Sequence, residues 1–143
     1  MLIAHVISDK GAVVHTLAAD ATLEQAAKEL HARKVGALVV LDESGALFGV
    51  LSERDVVREV AQRGAACLKD TVGSAMSRGV ITAHPRETVD EGLARMTDRR
   101  IRHLPVVESE RLIGIVSIGD LVKHRIAAVE AEAAAMQAYI AAQ

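Results

Sequence analysis

Apolar and polar positions along the chain change period in an order that occurs twice. Gly36-Ala-Leu-Val-Val-Leu41 is an unbroken apolar run of strand length, Asp42-Glu-Ser-Gly45 has hairpin-turn composition, and residues 46–51 return as a second strand. Upstream, Val13-Val-His-Thr16 predicts a short strand. Asp20 and Thr22 then offer caps to a helix in which Leu23, Ala26, Ala27 and Leu30 share one face, running to about Lys34. A further helix opens after Ser52 and continues to about Gly64. Residues 2–8 form a lead-in of one or two helical turns ended by Lys10-Gly11, residues 64–71 a linker, and residues 72–76 a short helix that mirrors the lead-in.

The same order then returns as a strand at residues 80–82, caps near Thr88, a helix with Val89, Leu93 and Met96 on one face, strands at 103–107 and 111–116, and a helix. Thr16 and Thr82, Thr22 and Thr88, Arg33 and Arg99, and Leu38 and Leu104 are each 66 apart, whereas Gly49 and Gly114, Ser52 and Ser117, and Asp55 and Asp120 are 65 apart. One turn is therefore a residue shorter. A β-α-β-β-α unit of this size buries little apolar surface alone, so the predicted fold is of the mixed α/β (α+β) class, two pseudo-symmetric β-α-β-β-α repeats packed through their sheets. The expected division is a first repeat with its lead-in at 1–66, a second repeat at 67–127, and a helical extension at 128–143. In the last helix Val122, Ile126, Val129, Ala133, Met136 and Ile140 are spaced 4, 3, 4, 3, 4, a heptad-like seam suited to a second chain.

With 17 basic against 19 acidic residues, no strong field favours nucleic acid or an anionic membrane. The lone Cys67 forms no internal disulfide and no Cys-x-x-Cys pair. The opening segment lacks a cationic leader, and no apolar run reaches membrane-spanning length. A cytoplasmic protein without membrane insertion is expected.

The candidate chemistry lies where each hairpin ends. Leu47-Phe-Gly-Val-Leu-Ser-Glu-Arg-Asp55 and Leu112-Ile-Gly-Ile-Val-Ser-Ile-Gly-Asp120 both read as a strand running into a helix start. Helix N-termini carry unpaired N–H groups and partial positive charge, which suits phosphate, and a carboxylate one turn in suits a sugar hydroxyl. The same Ser-x-x-acid pattern caps helices, but a capping box usually carries the longer Glu or Gln, and both copies here carry Asp. There is no Gly-x-Ser-x-Gly, no Walker sequence, no Gly-x-Gly-x-x-Gly and no His-Glu-x-x-His, and the six histidines are scattered singly. No catalytic or metal-binding set is expected.

These residues resemble the tandem cystathionine-β-synthase-type (CBS) domain pair, or Bateman module. The resemblance rests on Gly-h-h-Ser-x-x-Asp at 49–55 and 114–120 (h being apolar), on Ile101-Arg-His-Leu-Pro-Val-Val107, and on the doubled order of elements. It implies a stand-alone regulatory sensor, of the bacterial type, that binds an adenine nucleotide (AMP, ADP, ATP or NAD) between the repeats, assembles as a homodimer and signals to a separate, unknown partner protein. It further implies that Asp55 and Asp120 bind ribose, with Ser52, Arg54 and Ser117 beside them. Val35, Gly36 and Ala37, and Ile101, Arg102, His103, Leu104 and Pro105, would line the strand side, Arg102 and His103 against phosphate. Asp55 would share its site with Arg102 and His103, and Asp120 would face Gly36 and Ala37. Backbone at Thr16 to Ala18 and at Thr82 and Ala83 would read adenine, with Lys10 and Lys34 as further phosphate contacts. The alternatives are an S-adenosylmethionine-binding module and an assembly module without ligand.

Overall fold

The computed structural model describes residues 1–11 and 13–143. Its contacts divide the chain into two compact units, Val13–Ile81 and Met1–Ala12 with Thr82–Gln143.

In the first of these, β1 (Thr16–Ala18) lies parallel to β2 (Ala37–Leu41), and β2 is antiparallel to β3 (Leu47–Ser52), in the order β1-β2-β3. Helix α2 (Leu23–Arg33) crosses between β1 and β2. Thr22 caps it with a full capping box, and Lys34 ends it in the left-handed conformation at φ 55°. Helix α3 (Glu53–Arg63) follows β3, then a 3-10 segment, Gly64–Lys69, and the short α4 (Val72–Ala75). The segment read as a linker is part of the core. Cys67 is 1% exposed and packs with Leu23, Ala26, Val40, Leu51, Val72, Ala75 and Met76, so its thiol is shielded from solvent.

The other unit holds α5 (Val89–Arg99), the hairpin β4 (His103–Glu108) and β5 (Arg111–Ser117), α6 (Ile118–Ala141) and, from the far end of the sequence, α1 (Ile3–Lys10). The expected division attached the lead-in to the first repeat, but in the structure it packs with the second. Ile3 N–H donates to Glu87 O, Ala4 N–H to Pro85 O, and Val89 N–H to Met1 O, while Ile3 and Val6 are fully buried. Helix α4 is held in its own unit in the same manner, Val72 N–H donating to Ala21 O and Gly73 N–H to Ala19 O. Each short helix thus covers the repeat it does not directly precede.

The glycines of the Gly-h-h-Ser motif make room for these short segments. A Cβ on Gly49 would lie 2.5 Å from Met76 Sδ and 2.8 Å from Ser77 O, and one on Gly114 would lie 2.5 Å from Ile7 Cδ1. Each hairpin also carries a bulge beside its glycine, between Val40 and Leu41 and between Val106 and Val107.

One predicted strand is absent as such. Residues 80–82 are not extended into a ladder; instead Ala83 forms an isolated parallel bridge with Val106. Ala83 N–H donates to Pro105 O, and Val107 N–H to Ala83 O. In the other unit the ladder continues one rung further, Val39 N–H donating to His15 O. Pro105 holds the position 66 residues after Val39 and has no N–H to give, so that rung is lost.

Candidate functional site

Both Ser-x-x-Asp motifs fold as strand-to-helix junctions. At the first, Ser52 N–H donates to Asp55 Oδ2 at 2.8 Å, Ser52 Oγ–H to the same oxygen at 3.1 Å, and Asp55 N–H returns to Ser52 Oγ at 3.3 Å. At the second, Ser117 N–H donates to Asp120 Oδ2 at 2.8 Å and Asp120 N–H to Ser117 Oγ at 3.1 Å. Each Asp therefore closes a reciprocal capping box despite its short side chain, and the expectation that Asp points beyond capping is too strong. The first backbone donors are engaged as well, Glu53 N–H by Gly36 O and Ile118 N–H by Arg102 O. An incoming anion would meet mainly the helix dipole and side chains, not a fan of free N–H groups.

The two aspartates differ in what holds their remaining lone pairs. Asp55, 6% exposed, takes Arg58 Nη1 on Oδ1 at 2.9 Å, and Arg58 Nη2 reaches Ala75 O at 3.4 Å. Asp120 is more open and takes Lys10 Nζ on Oδ2 at 2.7 Å, the same ammonium donating to Ile115 O at 2.9 Å. Burial opposes ionisation of Asp120, but the Lys10 ammonium and the Ser117 N–H outweigh it and hold the carboxyl below the usual range. Lys10, expected as a phosphate contact, is thus placed on the ribose candidate itself. Arg58 was not foreseen, although its i+3 spacing from Asp55 was a legible signal.

The remaining expected residues are distributed as follows. Gly36 and Ala37 open β2 beside the end of β3, Ala37 pairing with Ser52; Arg102 and His103 stand in the same relation to β5, His103 pairing with Ser117. Arg102 and Arg54 are exposed, Val35 and Ile101 half-buried, and Leu104 and Pro105 buried in the core. Thr16 and Ala18 are exposed on β1, while the Thr82 carbonyl accepts from Arg95 Nη1 at 3.0 Å. Lys34, Val35 and Gly36 border an open groove of about 650 Å³ between α2 and α3, lined also by His31, Glu53 and Val57, and not by Asp55. Among the described residues no three His, Cys, Asp or Glu side chains come together as metal ligands, and no helix is long and apolar enough to cross a membrane.

A second clasp sits one turn beyond Asp120. His124 Nε2 lies 2.9 Å from Asp9 Oδ2 and Nδ1 3.0 Å from the Asp120 carbonyl. The carbonyl first, and then the Asp9 carboxylate, raise the imidazole's affinity for a proton, with nearby Lys123 opposing. A raised folded-state pKa stabilises the fold below the unfolded histidine value of about 6.5, and the gain is lost as pH rises through the folded value. The stability difference between the parent chain and His124→Ala is therefore expected to be larger at about pH 5.5 than at about pH 8.5. Urea unfolding at the two pH values measures it, and a constant difference would remove the charge from the clasp.

Two units with the same order of helix, hairpin and helix, each ending its hairpin in a Ser-x-x-Asp helix start, define a tandem-repeat module. The chain belongs to the CBS domain family, whose profile matches residues 7–62 and 72–127. Pairs of these domains are in general regulatory ligand-binding modules. A mitochondrial CBS domain-containing protein of Arabidopsis thaliana, CBSX3, is 38% identical over 125 residues, covering 85% of this chain and 61% of the relative, so this chain spans less than two thirds of that protein. Among solved structures, the CBS-domain protein ATU1752 of Agrobacterium tumefaciens superposes with a TM-score of 0.85 at 43% identity, over 87% of this chain and 92% of that one. The CBS domain pair of MJ0100, solved in complex with 5′-methylthioadenosine and S-adenosyl-L-methionine, matches with a TM-score of 0.77 at 30% identity, over 86% and 94%.

Proposed function

We propose that the chain is a non-catalytic regulatory module that binds an adenine nucleotide, of the class of AMP, ADP, ATP or NAD, at its Ser-x-x-Asp junctions and transmits occupancy to a separate protein as a cytoplasmic homodimer. The observation that carries this reading is the recurrence of one carboxylate geometry in both units, an aspartate Oδ2 fixed 2.8 Å from the N–H of its serine. Lys10 supplies a cation on Asp120, and Arg102 stands exposed just before β4, which favours a ligand with phosphate. The second reading, a sulfonium or thioether adenosine ligand, is favoured by the MJ0100 complex. The scaffold reading needs no ligand at all.

Any ligand that binds only the folded chain raises its melting temperature with concentration, by an amount equivalent to about 2.7 kcal/mol at a hundred times Kd. A thermal-shift panel of AMP, ADP, ATP, NAD, S-adenosylmethionine and 5′-methylthioadenosine therefore separates the three readings. Phosphorylated ligands are expected to shift the transition most. A panel without effect at millimolar concentration leaves only the scaffold. Arg102→Ala is expected to weaken one titration phase of a phosphorylated ligand by about 10- to 100-fold, the worth of a charge-assisted contact, and to spare adenosine.

A further inference from the structure

Helix α6 continues well past what its own unit uses. Leu121 is fully buried, Asp120, His124 and Ala128 are half-buried, and from Val129 onward every residue is exposed. Val122, Ile126, Val129, Met136 and Ile140 are 40–64% exposed. At 100° per residue this seam lies roughly 140° round the helix from the inward stripe, facing away from the unit. The flanks of the seam are charged in sequence order: Lys123 and Arg125 first, Glu130 and Glu132 after. Among the described residues Lys123, Glu130 and Glu132 make no ion pair, and Arg125 makes one, its Nε 3.4 Å from the exposed Asp90.

We propose that this face pairs with the same face of a second copy, antiparallel, with Ile126 opposite the partner's Val129 and Val122 opposite the partner's Ala133. The apolar and charged positions are self-complementary about the same point, midway between Ala127 and Ala128. In that register Lys123 meets the partner's Glu130 on one flank and Arg125 meets the partner's Glu132 on the other, and the two-fold repeats both pairs. Sliding by one heptad to engage Met136 and Ile140 more fully would set Glu130 against the partner's Glu130 and Glu132 against the partner's Glu132. A parallel alignment keeps only the Arg125 to Glu130 pair. Charge at the flanks thus selects one orientation and one register from a seam whose small apolar residues alone would allow several.

The inference deepens the homodimer part of the proposed function and is independent of the ligand, whose melting shift is read separately. Light scattering of the full chain at micromolar concentration is expected to give twice the 15.2 kDa of one chain. Lys123→Glu with Arg125→Glu, and separately Glu130→Lys with Glu132→Lys, should each weaken self-association at least 10-fold, and an equimolar mixture of the two variants should restore a mixed dimer in native mass spectrometry. Chains carrying Ile126→Cys and Val129→Cys should cross-link to one another on mild oxidation, with the buried Cys67 not competing, whereas Ile126→Cys with Met136→Cys should not. A monomeric parent chain overturns the pairing and the dimer together. A dimer indifferent to both charge reversals, or one that cross-links 126 to 136, overturns the antiparallel register.

Discussion

Asp55→Ala is expected to remove one phase of adenosine-ligand binding and to destabilise the fold, while Asp120→Ala removes the other phase at a much smaller cost in stability. Asp55 is nearly sealed from water, and its two oxygens serve the Ser52 N–H, the Ser52 hydroxyl and the Arg58 guanidinium at once. Truncation strands the Ser52 N–H and hydroxyl in a nearly sealed place, and an unsatisfied buried polar group costs about 1–3 kcal/mol, whereas Arg58 is exposed and can turn to water. Asp120 keeps about a quarter of its side chain in solvent, and its partner Lys10 can turn to water, so screening leaves that pair worth about 1 kcal/mol or less. Urea midpoints and calorimetric titration of both variants measure the two effects. Equal destabilisation would contradict the asymmetry. Binding that survives both substitutions would remove the aspartates from the site.

Leu121→Ala is expected to have the largest effect on stability. Leu121 is fully buried at the start of α6, and its Cδ1 lies 3.0 Å from where a Cβ on Gly92 would stand, with Ile3 Cδ1 3.2 Å from the same point. It therefore ties α6 to both α5 and α1. Large-to-small truncation at such a site costs about 2–5 kcal/mol, read as a lowered urea midpoint. Because Ser117 and Asp120 form the first turn of the same helix, the binding phase that depends on Asp120 should weaken as well. A loss below about 0.5 kcal/mol, the level of an ordinary surface change, would contradict this anchoring.

The contrast between the two aspartates also bears on regulation. A ribose entering the Asp120 junction must displace or share the Lys10 ammonium, whereas at Asp55 it must compete with an arginine on the same helix. Lys10 ends α1, so a ligand bound at Asp120 as proposed would act on the packing of α1, which the Asp9–His124 contact also holds. At Asp55 the competing group lies one turn away in α3, and through its second nitrogen it reaches only the Ala75 carbonyl of α4, at 3.4 Å.

What the sequence determined by itself was periodic or local. Apolar runs of period two and stripes of period 3.6 report which face of a segment is buried, and the spacings of 66 and 65 exposed the duplication. They located β2, β3, β4 and β5, the helices between them, and both Ser-x-x-Asp junctions, because a capping box is closed by residues three apart. The tertiary structure decided which segments those faces meet. Nothing in the first ten residues marks them as packing with the second repeat, and Lys10 reaches a carboxylate 110 positions away. The lost strand near residue 81 turned on register, since Pro105 matters only because its missing N–H falls on a rung that Val39 fills in the other unit. The segment at 64–69 read as a linker because its two turns of 3-10 helix are too short to show a period, yet it delivers Cys67 into the core. Period and capping depend on neighbours a few residues apart, whereas pairing of remote segments is settled by which surfaces remain to be covered once each element has formed.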